Sequence, residues 1–151
     1  MSISIAFIVF VLVSLINSYL DIRTMQVSVL INYIGIIICG TLYLISSFQL
    51  FINHCLGGVI LFLVFLLVWI ITDKGIGFGD IHYSLFCGFI AGFPKTIISG
   101  LISSLIGLLL FIILKICFKK NIKKTRIPFI PIMFLGSLCG VCFSDFLMKY
   151  I

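Results

Sequence analysis

Five stretches of the chain carry no Asp, Glu, Lys or Arg: residues 1–20, 24–72, 81–94, 96–114 and 127–144. An α-helix needs about 20 predominantly apolar residues to cross a bilayer, and most of these stretches approach or exceed that length. The second is long enough for two such helices, and it divides at the polar cluster Ser46, Ser47, Gln49, Asn53 and His54. The pattern therefore predicts six helices, near 3–20, 27–46, 54–72, 77–93, 96–117 and 127–148. Every connection between them is short, so successive helices are expected to be antiparallel neighbours in an all-α, polytopic, six-transmembrane-helix bundle. No room is left for a soluble domain, and residues 1–151 read as a single membrane-embedded unit.

Composition strengthens this reading. Of the 151 residues 63% are hydrophobic and 9% charged, with a mean hydropathy of +1.42, far from a soluble domain of this length. No positive residue precedes the first apolar run and no small-x-small cleavage site follows it, so it is expected to be a helix of the mature protein. The six cysteines are scattered through apolar segments, where thiols act as small buried hydrophobes. Cys139-x-x-Cys142 has zinc-like spacing but no second pair of ligands, and neither a metal nor an organic cofactor is expected. Ser99, Ser103 and Gly107, and likewise Gly136 and Gly140, recur every four residues, which is the spacing of close helix contacts in lipid.

The distribution of Lys and Arg sets the orientation. Arg23, Lys74, Lys115, Lys119, Lys120, Lys123, Lys124 and Arg126 follow the first, third and fifth helices, against Lys95 and Lys149 on the other side. Positively charged loops stay in the cytoplasm, so both termini are expected outside it. The net charge of +6 is largely the segment 115–126, which reads as a topology signal near anionic headgroups rather than a nucleic-acid site.

Only four acids are present: Asp21, Asp73, Asp80 and Asp145. Asp21 closes the first predicted helix, while Asp73 and Asp80 bracket the glycine-rich stretch Lys74-Gly75-Ile76-Gly77-Phe78-Gly79-Asp80 that opens the fourth. All three fall on the predicted cytoplasmic side. A carboxylate in a membrane segment is costly to keep and asks for a functional explanation. Two at one depth are the minimum equipment for aspartyl hydrolysis, in which one activates water while the other, protonated, polarises the scissile carbonyl. Glycine at 75, 77 and 79 is expected to supply backbone freedom and a close approach for substrate. The helix dipole is expected to oppose Asp21, partly relieved by Arg23, and to favour Asp80. At close range the two would share a proton and titrate as a unit.

These residues resemble the type IV prepilin peptidases, membrane aspartyl proteases with a Gly-x-Gly-Asp motif. Gly77-Phe78-Gly79-Asp80 matches the second catalytic motif, Asp21-Ile22-Arg23 the first, and Ile127-Pro128-Phe129-Ile130-Pro131 resembles the proline-bearing start of a late helix. Val27-Ser28-Val29 stands where the family often has Ile-Pro-Asn, and His82 where a Lys is common. The short connection at 22–26 resembles the peptidase-only members, which lack the paired Cys-x-x-Cys loop. The resemblance implies catalytic Asp21 and Asp80, and a prepilin-like precursor as partner. It also implies residence in the cytoplasmic membrane of a prokaryote, with the site facing the cytoplasm. Gly77, Gly79, Asn17, Arg23, Tyr83 and Ser84 are the expected supporting residues: Tyr83 and Ser84 follow Asp80 by three and four positions, and Asn17 precedes Asp21 by four. His82, two positions from Asp80, falls on nearly the opposite helix face and reads as packing. A rival reading makes Asp21 and Asp80 the proton carriers of a small proton-coupled transporter.

Overall fold

The first helix shows how this sequence folds. Ile5, Ile8, Leu12, Leu15, Ile16, Tyr19 and Ile22 are exposed, while Ala6, Phe10, Ser14, Asn17, Ser18 and Asp21 are buried. Both sets recur at helical spacing, so one apolar face points outward and a face of small and polar residues points into the protein. That inversion of the soluble pattern is what lipid selects, because outside the bundle there is no water to repel the apolar face.

The computed structural model describes residues 2–73, 75–118 and 128–148. Among them are six α-helices and no strand: α1 (Ser2–Thr24), α2 (Val29–Ser46), α3 (Phe48–Ile71), α4 (Phe78–Ala91), α5 (Lys95–Phe118) and α6 (Ile130–Met148). The first three are long and apolar enough to cross a membrane, and 95–107 and 130–143 are shorter apolar helices. The protein is an all-α, multi-pass membrane bundle. The basic segment 119–126, Lys74 and Lys149 lie outside the described residues, as do the side chains of Lys115 and Asp145.

Two boundaries differ most from those expected. The charges Asp21 and Arg23 interrupt the uncharged run without ending the helix, and α1 continues until Met25 takes a left-handed backbone with φ 53°. α3 begins at Phe48, because only Ser47 of the polar cluster is extended; Gln49, Asn53 and His54 are helical.

α4 is the axis of the bundle. It is the shortest helix, with 14 residues, yet it packs against all five others. Its contact with α3 depends on absent side chains, since a Cβ on Gly57 would lie 2.6 Å from the Gly88 carbonyl oxygen. α5 and α6 meet in the same manner, with Gly136 against Ser103 and Gly140 against Ser99, as their four-residue spacing indicated. Phe10 of α1, Phe86 of α4 and Phe134 of α6 interlock edge to face at centroid separations of 5.3 and 5.8 Å, tying α1, α4 and α6 together.

Candidate active site

Three helix ends converge at one end of the bundle: the C-terminus of α1 and the N-termini of α4 and α6. Asp21 lies on the last turn of α1 on its inward face and is 5% exposed. Its Oδ2 accepts the Ile130 N–H at 2.9 Å, and the Phe129 N–H approaches the same carboxylate. Ile130 is the first residue of α6, where an N–H has no acceptor within its own helix. The expectation that the dipole of α1 opposes Asp21 counted only that residue's own helix; α6 brings a helix N-terminus to the same carboxylate, so Asp21 is not left facing carbonyls alone.

Asp80 is the third residue of α4 and is half-buried. Gly77 precedes the helix as its N-cap, and its N–H turns toward the Asp80 carboxylate, the acidic half of a capping box. A Cβ at Gly77 would sit 3.1 Å from Asp80 Oδ2. A Cβ at Gly79 would sit 2.8 Å from Val27 Cβ in the α1–α2 connection. Neither glycine has a left-handed φ, so what these positions require is space rather than unusual backbone freedom, and the close approach at Gly79 is made by the chain's own Val27. With α4 so placed, Asp80 lies within electrostatic reach of Asp21.

The neighbouring polar residues divide sharply. Asn17 is fully buried and shares the inward face of α1 with Asp21, but its polar atoms serve α2: Nδ2 donates to Asn32 Oδ1 at 2.9 Å, and Oδ1 accepts the Ser28 N–H at 3.1 Å. It thereby pins the connection that carries Val27. Tyr83 and Ser84 are fully buried in the core; the Tyr83 hydroxyl is directed toward Ser14 and Cys87, and Ser84 Oγ donates to the Ile81 carbonyl at 2.7 Å. Ser14 precedes Asp21 by seven residues, about 10 Å along a helix, so Tyr83 acts in the core and not beside the carboxylates. Arg23 is exposed, with its guanidinium 5.7 Å from the centre of the Tyr19 ring.

His82 bonds through Nδ1 to the Tyr33 hydroxyl at 2.9 Å and packs edge-on to Phe78, in keeping with its expected packing role. Asp73 is exposed in the turn after α3 with φ 48°. His54, stacked on Tyr43 and bonded to the Phe89 carbonyl, belongs to the other end of the bundle. Among the described residues no group of three or more His, Cys, Asp or Glu is arranged to hold a metal.

Sequence reasoning did not find two parts of this site, the Ile130 amide and Val27. Pro128 and Pro131 marked the start of a helix, but nothing in a sequence announces a bond between residues 109 positions apart.

Comparison with known proteins adds one positive finding. The profile of the type IV leader peptidase family matches residues 8–112, a stretch that holds both Asp21 and Asp80 and ends before α6. No curated protein and no solved structure matches the chain.

Proposed function

Since the chain belongs to the type IV leader peptidase family, we propose that it is an aspartic endopeptidase with Asp21 and Asp80 as its reactive pair. The observation that supports this most is the convergence of the α1 C-terminus with the N-termini of α4 and α6, which seats Asp21 on the Ile130 amide and brings Asp80 within its electrostatic reach. Two carboxylates within electrostatic reach of one another favour holding one proton between them, which is the starting condition for the chemistry.

In the reaction, the ionised carboxylate takes a proton from water as the water oxygen bonds to the scissile carbonyl carbon. The protonated partner donates its hydrogen to the carbonyl oxygen, giving a neutral tetrahedral diol. Collapse breaks the carbon–nitrogen bond, with one proton passing to the leaving amine and the other returning to the pair. The pair ends as it began, so no further co-reactant is consumed.

The substrate on this reading is a prepilin-like precursor, with a short basic leader followed by an apolar helix. The apolar helix lies in the bilayer, and the bond between the two segments meets the aspartates at the cytoplasmic edge of a prokaryotic inner membrane. Asp73, exposed in the turn just before α4, supplies a further negative charge for a basic leader. Purified protein incubated with such a precursor tests the reading: one cleavage at the leader boundary is expected, and its absence with Asp21→Asn or Asp80→Asn.

A further inference from the structure

Within the aspartic peptidase reading, we infer that the backbone amide of Ile130 is the group that positions the Asp21 carboxylate for reaction. The bond, at 2.9 Å, is buried, and it joins an aspartate on α1 to the first residue of α6. Ile130 is 0% exposed, so its amide has no other outlet. The first intrahelical bond of α6 runs from the Met133 N–H to the Phe129 carbonyl at 3.1 Å, and Pro131 has no N–H to offer. Phe129 and Ile130 are thus the donors at this helix end known to meet an acceptor, and that acceptor is Asp21.

A carboxylate held at one oxygen cannot rotate freely, and a buried donor is costly to leave without its acceptor. The position of α6 is itself fixed by neighbours that leave no slack. Gly136 and Gly140 seat on Ser103 and Ser99 of α5, and the Phe129 ring lies 6.1 Å from Phe65 of α3 and against Gly107 of α5. Asp21 is therefore referenced to the rigid α5–α6 pair as well as to its own helix. The matched family stretch ends before α6, so this part of the site comes from beyond it.

Proline is tolerated at the first position of a helix and carries no N–H, so Ile130→Pro removes the donor and spares the helix. We expect kcat to fall by about 10-fold or more with KM little changed, because a misdirected reactive group is felt in the chemical step rather than in substrate capture. Ile130→Val keeps the amide and is expected to restore turnover. Equal impairment in both variants would assign the effect to side-chain packing and overturn the inference, as would unchanged kcat in folded Ile130→Pro. Amide hydrogen exchange at Ile130 reads the same contact without any activity: about 10-fold or more acceleration is expected in Asp21→Ala, since a first-turn amide has no intrahelical acceptor to protect it. Exchange indifferent to Asp21→Ala would also overturn the clamp. A protein that shows the exchange effect but cleaves no precursor would instead contradict the peptidase reading alone.

Discussion

Gly79→Ala separates the two reasons a glycine can be needed here. The added Cβ would lie 2.8 Å from Val27 Cβ and 3.0 Å from Val27 Cγ2, whereas carbon atoms settle at about 3.5–4.0 Å. Something must move by about 1 Å, because Val27 is held through its neighbour Ser28 by Asn17 and α4 is packed on every side. Overpacking of this kind costs about 1–3 kcal/mol. Against it stands the better helix propensity of alanine, worth about 1 kcal/mol. The net loss of stability is then about 0–2 kcal/mol, read as a small fall in thermal midpoint in detergent. Activity should respond far more, since a displacement of about 1 Å at a reacting group can cost about 100-fold in rate. Initial rates of precursor cleavage measure that directly. Val27→Ala leaves the Cβ–Cβ contact in place and should not rescue Gly79→Ala; Val27→Gly removes it and should. Full activity in Gly79→Ala, or no recovery with Val27→Gly, would refute the steric account.

Three other outcomes follow from the same contacts. Gly77→Ser adds a side-chain N-cap, worth about a few tenths of a kcal/mol over glycine, yet it puts a Cβ 3.1 Å from Asp80 Oδ2; thermal unfolding should show little change in stability while cleavage assays show lower kcat. Asn17→Ala strands the Ser28 amide and Asn32 Oδ1, and unfolding in detergent should register a loss of about 1–3 kcal/mol. Tyr33→Phe removes only the exposed hydroxyl bond to His82, so its cleavage rate should stay within about threefold of the parent, and a larger loss would place His82 in the chemistry.

How much of this was readable beforehand depends on the range of the interaction. Helix number and membrane class follow from runs of uncharged residues, a local property, and so does the small-residue stripe of α5 and α6. Helix ends were harder. A charge ends an apolar run without ending a helix, which is why α1 extends past Asp21 to Thr24, and a polar cluster at a membrane face can be helical, which is why α3 starts at Phe48. That Asp21 and Asp80 lie at the same end of the bundle could be anticipated because antiparallel helices return to the same face. Helical spacing placed Asn17, Tyr83 and Ser84 on the inward faces, but not how deep or toward which neighbour their polar atoms turn. Asn17 went to α2 and Tyr83 to the core around Ser14. The glycines looked like sources of flexibility, and their backbone angles are ordinary; what they spare is room, which depends on Val27 and on the carboxylate itself.

The central claim is that two aspartates on different helices act as one reactive pair. Cleavage of a leader-bearing precursor by the purified protein, beside Asp21→Asn, Asp80→Asn and the double variant, tests it most directly. Each single substitution should abolish cleavage as completely as the pair, with all three proteins keeping the thermal midpoint of a folded bundle. Cleavage that persists in either folded single variant would contradict it.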